Sequence, residues 1–158
     1  MDWRELEQAA PELAELGAKR LRDVRVALLG TVRKDGSPRI SPVEPYLSQG
    51  ELLFGAMTWS LKARDLRRDP RCVLHSAVTD PDAGEGELKL YGRAVVASDE
   101  LRQGGREGWW FTRPETATVF ALAIGQATFV SWDPEGAEMT ARRWTPRDGY
   151  TVARRRYP

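Results

Sequence analysis

The stretch Glu51 to Arg71, ELLFGAMTWSLKARDLRRDPR, constrains the fold more than any other part of the chain. Its first half, Leu52 to Met57, is an apolar run of strand length, bounded upstream by the turn signal Ser48-Gln49-Gly50. Its second half is a short basic helix from about Ser60 to Arg68. Ser60 is a good helix cap, and the helix must stop before Asp69-Pro70 because a residue preceding proline avoids the helical region. A buried strand that runs straight into a helix leaves free backbone N–H groups at the junction, where the helix dipole favours an anion. Thr58 and Ser60 add hydroxyl donors there, and Lys62 and Arg64 add charge within one turn. The pattern predicts a site for a phosphorylated ligand.

The size of 158 residues suits one domain, 1–158, with a single core that a dimer could enlarge. A formal charge of +1 gives no global field for gripping nucleic acid, despite the arginine clusters at Arg67-Arg68 and Arg154-Arg155-Arg156, so any anion site must be local. One cysteine, Cys72, and one histidine, His75, are too few for a structural zinc site, and no metal is expected. There is no charged-then-apolar leader and no apolar run near the roughly 20 residues that span a bilayer. A cytoplasmic protein without membrane partners is the expectation.

Turns and periodicities outline the rest. Trp3, Leu6, Ala9, Ala10, Leu13, Leu16 and Leu21 are spaced for one helical face, with Pro11 dividing a helical segment over 1–22. Val24 to Val32, the turn Lys34-Asp35-Gly36-Ser37, and Arg39 to Leu47 form a hairpin. Strands are predicted at Cys72 to Thr79, and at Glu87 to Ala97 beyond an exposed loop over 80–86. A helical insertion is predicted over about 98–125, its second helix opened by the capping box at Thr112, Arg113, Pro114 and Glu115 and running through Val119, Phe120, Leu122 and Ile124. Ala127 to Trp132, Glu138 to Trp144 and Tyr150 to Arg154 complete a mainly β, α+β fold: an antiparallel split β-barrel, over 23–158, with peripheral helices.

Three pieces of this pattern, Gly30 to Arg39, Ser60 to Arg71 and Lys89 to Ala94, resemble the pyridoxamine 5′-phosphate oxidase-like split β-barrel superfamily of flavin-binding proteins. The central piece is also similar to the branch that uses the deazaflavin coenzyme F-420. The resemblance implies a homodimer with FMN, or alternatively that deazaflavin coenzyme, in each of two grooves between subunits. It places phosphate contacts on Lys62, with Thr58 and Ser60 before it and Arg64 one turn on. Arg39 and Ser41 share one face of the preceding strand and could reach the same phosphate. Arg142-Arg143-Trp144 and the arginine-rich end resemble the oxidase's terminal tryptophan-to-arginine-proline ending, which brings Trp144 into the candidate set. Leu61 stands where the oxidase itself has an arginine, and its histidine-containing substrate motif has no counterpart, which bears on vitamin formation and not on the cofactor.

The residues therefore point to an FMN- or deazaflavin-dependent oxidoreductase acting on a small organic molecule, with the redox chemistry carried by the cofactor. The alternative is a non-catalytic protein that holds flavin or haem for storage or sensing. Trp59, Trp109, Trp110 and Phe111 offer an aromatic wall for a planar ring, or else core packing. Arg64 can bind the ligand or pair with Asp65, while Arg67, Arg68 and Arg71 read as a solvated basic face. His75 reads as a packed or surface imidazole, and Cys72 as a strand residue without a base.

Overall fold

The computed structural model describes residues 1–78, 86–106 and 116–156. The chain opens with helices α1 (Trp3–Ala9) and α2 (Pro11–Val24). Asp2 caps α1 by accepting from the Glu5 N–H, and Glu5 answers by accepting from the Asp2 N–H, a complete capping box. Pro11 opens α2, where a missing N–H costs nothing. Strands β1 (Ala27–Val32), β2 (Pro38–Val43), β3 (Pro45–Ser48) and β4 (Glu51–Met57) follow, then α3 (Leu61–Arg68), β5 (Arg71–Ser76), β6 (Glu87–Val96), α4 (Asp99–Arg106), β7 (Ala117–Asp133), β8 (Glu138–Thr145) and β9 (Gly149–Arg156).

All pairings are antiparallel, in the order β2-β1-β5-β6-β7-β4-β3, with β8 added to β7 and β9 to β8. The sheet divides at β7, a 17-residue strand. Its first part lies between β6 and β4, with Phe120 opposite both Val96 and Phe54. Its second part lies between β6 and β8, with Ala127 opposite Leu90 and Trp144. A bulge marks the exchange: Tyr91 faces Gln126 but Gly92 faces Ile124, leaving Gly125 unpaired. Gly92 is required there, because a Cβ would sit 2.2 Å from the Ala123 carbonyl oxygen. The resulting split barrel encloses one main core, in which Leu29, Leu74, Leu90, Leu122 and the stacked Phe54–Phe120 pair meet Leu6, Leu13 and Leu21 of the N-terminal helices.

The predicted helix through Val119 to Ile124 is corrected by the structure: this segment is the first part of β7. Phe120, Leu122 and Ile124 point into the main core, while Val119 and Ala121 face a second cluster with Leu53, Ala97 and Leu101 of α4. A strand covered on both faces carries apolar residues at almost every position, and such a run cannot be told from a buried helix by periodicity. The helical insertion is therefore confined, among the described residues, to α4. The capping box at Thr112, the Trp109-Trp110-Phe111 aromatics and nearly all of the loop over 80–86 lie outside the described residues. Other differences concern strand bounds: α2 runs to Val24, so β1 begins at Ala27; the strand expected over Arg39 to Leu47 divides into β2, which pairs with β1, and β3, which pairs with β4; β5 ends at Ser76; and the closing strand is longer than expected, at Gly149–Arg156.

Candidate functional site

The junction between β4 and α3 forms as the sequence predicts. The Ser60 N–H donates to the Met57 carbonyl at 2.9 Å, closing the turn, and the Ser60 hydroxyl oxygen accepts from the Ala63 N–H at 3.3 Å. The first helical bond, from the Arg64 N–H to the Ser60 carbonyl, leaves the N–H groups of Leu61 and Lys62 outside the helix's own ladder. At the other end the Asp69 N–H caps onto the Asp65 carbonyl, and Arg67 and Arg68 occupy the last turn, where cations suit the dipole.

Helical spacing divides α3 into distinct faces. Ala63 and Leu66 enter the main core. Lys62, Asp65 and Arg68, three residues apart, all turn to the β1–β2 hairpin. The Lys62 ammonium donates to the Pro42 carbonyl at 2.6 Å. Asp65, 4 % exposed, accepts from Arg39 Nε at 2.6 Å and Thr31 Oγ1 at 3.1 Å on one oxygen, and from Arg68 at 3.2 Å on the other. Arg68 also donates to the Val32 carbonyl. On a third side, Arg67 donates to the Thr58 carbonyl at 3.0 Å and to Thr118 Oγ1 at 2.6 Å, which ties α3 to β7.

Electrostatics follow from this seam. Burial pulls the Lys62 pKa below that of an ordinary lysine, and the carboxylate of Glu44 pushes it partly back. One Glu44 oxygen is itself buried without a hydrogen-bond partner among the described residues. Burial pushes the Asp65 carboxyl up, but the hydrogen bonds from Arg39, Arg68 and Thr31 outweigh it and hold it below the usual range. Cys72, on β5, is pushed up to about 12 by burial and is no thiolate nucleophile.

The structure brings Thr58, Trp59, Ser60, Lys62 and Arg64 together at the start of α3; Arg39 on β2 reaches this helix through Asp65, and Ser41 lies two residues further along β2. Trp59 is 71 % exposed, and Leu61 is exposed next to it. Thr58 Oγ1 donates to the Thr116 carbonyl at 3.2 Å, so this hydroxyl is already engaged. Arg64 is exposed and does not pair with Asp65; the partners of that carboxylate are Arg39 and Arg68. The basic face expected of Arg67, Arg68 and Arg71 is exposed, and its charges are also held in place: Arg67 and Arg68 donate to carbonyls of the fold and Arg71 pairs with Asp69. Trp144 lies on β8 in the main core, opposite Ala127 and Tyr150. His75 sits on β5 with Nε2 at 3.2 Å from Glu87 and Nδ1 at 2.6 Å from the Ser76 carbonyl. Among the described residues no three His, Cys, Asp or Glu side chains cluster as metal ligands, and no helix is long and apolar enough to cross a membrane. Sequence reasoning missed Asp65 as the centre of the seam; an acid three residues from both Lys62 and Arg68 was the available signal.

These features define an antiparallel split β-barrel with a serine-capped basic helix packed on its first hairpin. Over residues 13–145 the chain matches the pyridoxamine 5′-phosphate oxidase family, and it belongs to that family. No curated protein matches it. Its fold is shared by PhzG from Burkholderia lata, solved with tetrahydrophenazine-1-carboxylic acid, at TM-score 0.67 and 14 % identity over 98 % of this chain and 93 % of that one. A pyridoxamine 5′-phosphate oxidase-related, FMN-binding protein from Nostoc punctiforme aligns at TM-score 0.63 and 14 % identity, covering 92 % and 95 %. A haem-binding protein from Mycobacterium smegmatis aligns at TM-score 0.59 and 18 % identity, covering 93 % and 89 %.

Proposed function

We propose that the chain is a cytoplasmic oxidoreductase that holds FMN, or alternatively the deazaflavin coenzyme, by its phosphate at the start of α3 and acts on a small organic molecule. The observation that carries this reading is the donor set at that helix start: the N–H groups of Leu61 and Lys62, the free O–H of Ser60, and the Lys62 ammonium, which retains two N–H donors beyond the one given to Pro42. A phosphate fits this set. Arg64, exposed one turn on, suits the longer acidic tail of the deazaflavin coenzyme. When bound, the ring supplies hydride transfer; the protein fixes it and excludes water. Trp59 offers an exposed aromatic face beside the phosphate position.

Homodimerisation belongs to the same proposal. Ile40, Gly30, Val73 and Tyr91 are register partners on the outer sheet face, with Leu28 two residues from Gly30, and Leu28, Ile40 and Tyr91 are exposed. A groove of about 310 Å³ runs over Gly30, Val73 and Tyr91. An apolar strand face of this kind favours a protein partner, and a second copy would add its own residues to the cofactor groove.

The second reading, a non-catalytic holder of flavin or haem, draws on the fold shared with the haem-binding protein. Haem finds no histidine at α3, since His75 lies on β5 and is engaged by Glu87 and the Ser76 carbonyl. A fluorescence titration of cofactor-stripped protein with FMN and with the deazaflavin coenzyme tests the proposal. One of the two should bind, and Lys62→Ala should weaken it about tenfold, the effect of losing a charged hydrogen bond. Binding of neither overturns the proposal, and an unchanged affinity in the variant moves the site away from α3. Reoxidation of the bound reduced cofactor by an organic acceptor separates the enzyme from the holder.

A further inference from the structure

The Asp65 cluster is more elaborate than a staple between helix and hairpin requires. Arg68, on the same helix, already supplies a charge partner for Asp65, and Thr31 a neutral donor. Arg39 adds a second guanidinium from β2, 26 residues away in sequence. Arg39 does not form the two-pronged contact that arginine and carboxylate prefer: it donates to Oδ2 through Nε alone, beside Thr31, while Arg68 takes Oδ1. No other hydrogen bond of the Arg39 side chain is found among the described residues, although that side chain is only 19 % exposed. Both terminal Nη groups are therefore left over on a guanidinium whose orientation is fixed.

Charge and spacing make those leftover donors useful. The seam holds Lys62, Arg39 and Arg68 against Asp65 and Glu44, an excess of one positive charge. Lys62 and Asp65 are three residues apart on one helix face, about 4.5 Å along the axis. Asp65 is thus about one helical turn from Leu61, the first residue of α3. We propose that Asp65 is a positioning residue, which holds Arg39 by Nε so that its Nη edge binds the phosphate of the ligand seated at the start of α3. This inference rests on the phosphate reading of α3 given above.

The test compares FMN with riboflavin, which carries the same ring and ribityl chain without the phosphate; if the titration above selects the deazaflavin coenzyme, it is compared with its phosphate-free deazaflavin in the same way. Wild-type protein should prefer the phosphorylated form. Asp65→Asn should weaken that form about tenfold and leave the phosphate-free form unchanged, as should Arg39→Ala, and the double variant should lose no more than Arg39→Ala alone. Equal weakening of both forms, no change in either, or a stronger preference for phosphate would overturn the positioning role. A wild-type protein that does not distinguish the two forms would instead overturn the phosphate reading of α3. If Asp65→Asn does not fold, Arg39→Lys decides: it keeps the charge but has no Nε to be gripped, so it should lose the phosphate preference as Arg39→Ala does. A preference retained in Arg39→Lys would count against the proposal.

Discussion

The arginines of α3 and those of the β8–β9 hairpin look alike in the sequence and are used differently in the fold. On α3, Arg67 and Arg68 each donate to a backbone carbonyl and to a side chain, and Arg68 shares a buried carboxylate with Arg39. On β9, Arg154 reaches Glu138 only at 3.6 Å, and Arg155 and Arg156 have no partner among the described residues. The difference lies in the acceptors. Where the chain ends of β1 and β4 and one buried acid face the cations, positive charge is fixed in place; along an exposed edge strand it remains solvated and contributes little. Fixed charge can recognise a phosphate with low ordering entropy, and solvated charge cannot.

The largest effect that would break this comparison is expected at Asp65. Asp65→Ala leaves the mostly buried Arg39 and the part-exposed Arg68 without their shared counter-charge, and should lower the unfolding free energy by about 3 kcal/mol. Denaturant unfolding of wild type and variant measures it; a loss below about 1 kcal/mol would place the seam with ordinary surface pairs. The pH dependence has a definite sign. The carboxyl titrates below its ordinary 3.8 in the folded protein, so its contribution is present above about pH 4 and is lost as pH falls through the depressed folded value. The gap between wild type and Asp65→Ala should therefore close on acidification.

The comparison also shows which parts of the molecule were legible in the sequence. Ser60, Lys62 and the stop at Asp69-Pro70 were, because capping, charge and proline sterics act within a few residues. The N-terminal helices and the turn between β1 and β2 followed from periodicity and turn chemistry for the same reason, whereas the division of Arg39 to Leu47 into β2 and β3 did not. The Arg39–Asp65 bond was not, because it depends on where α3 lies across β2, a tertiary fact joining residues 26 apart. β7 was misread as helix because α4 covers its outer face as the core covers its inner one, which erases the alternation that marks a strand. Trp144 could be placed in the candidate set only by resemblance, and within one chain its side chain belongs to the core.

A smaller effect sharpens the contrast from the hairpin side. The inner face of β8–β9 is anchored by Trp144 in the main core and by Glu12 of α2, which accepts from Arg142 Nε at 2.7 Å and from the Tyr150 hydroxyl at 2.6 Å. The Tyr150 and Arg142 hydrogen bonds hold the Glu12 carboxyl below its usual range, while burial, reinforced by Glu12, pushes the Tyr150 phenol up to about 12. Glu12 is half exposed, so solvent screens this contact, and Glu12→Ala should cost no more than about 1 kcal/mol. Hydrogen exchange should show faster opening of β9 in the variant with α3 unaffected. Equal acceleration at α3 would mean that the two basic regions are coupled rather than independent.

The smallest effect is expected at the ribbon itself. Replacing Arg154, Arg155 and Arg156 together by serine removes three solvated charges from a strand exposed along nearly its whole length, and should change the unfolding free energy by no more than about 0.5 kcal/mol. The backbone ladder to β8, from Glu138↔Arg156 to Thr145↔Gly149, does not depend on those side chains. Cofactor affinity supplies the sharper measurement, because a phosphate bound at α3 should not register the loss of distant, screened charge beyond about twofold at physiological salt. A tenfold loss would show that these arginines act on the ligand. Since β9 is joined to the sheet, among the described residues, through β8 alone, a loss that appears only in the dimer would assign these arginines to the groove of the second copy.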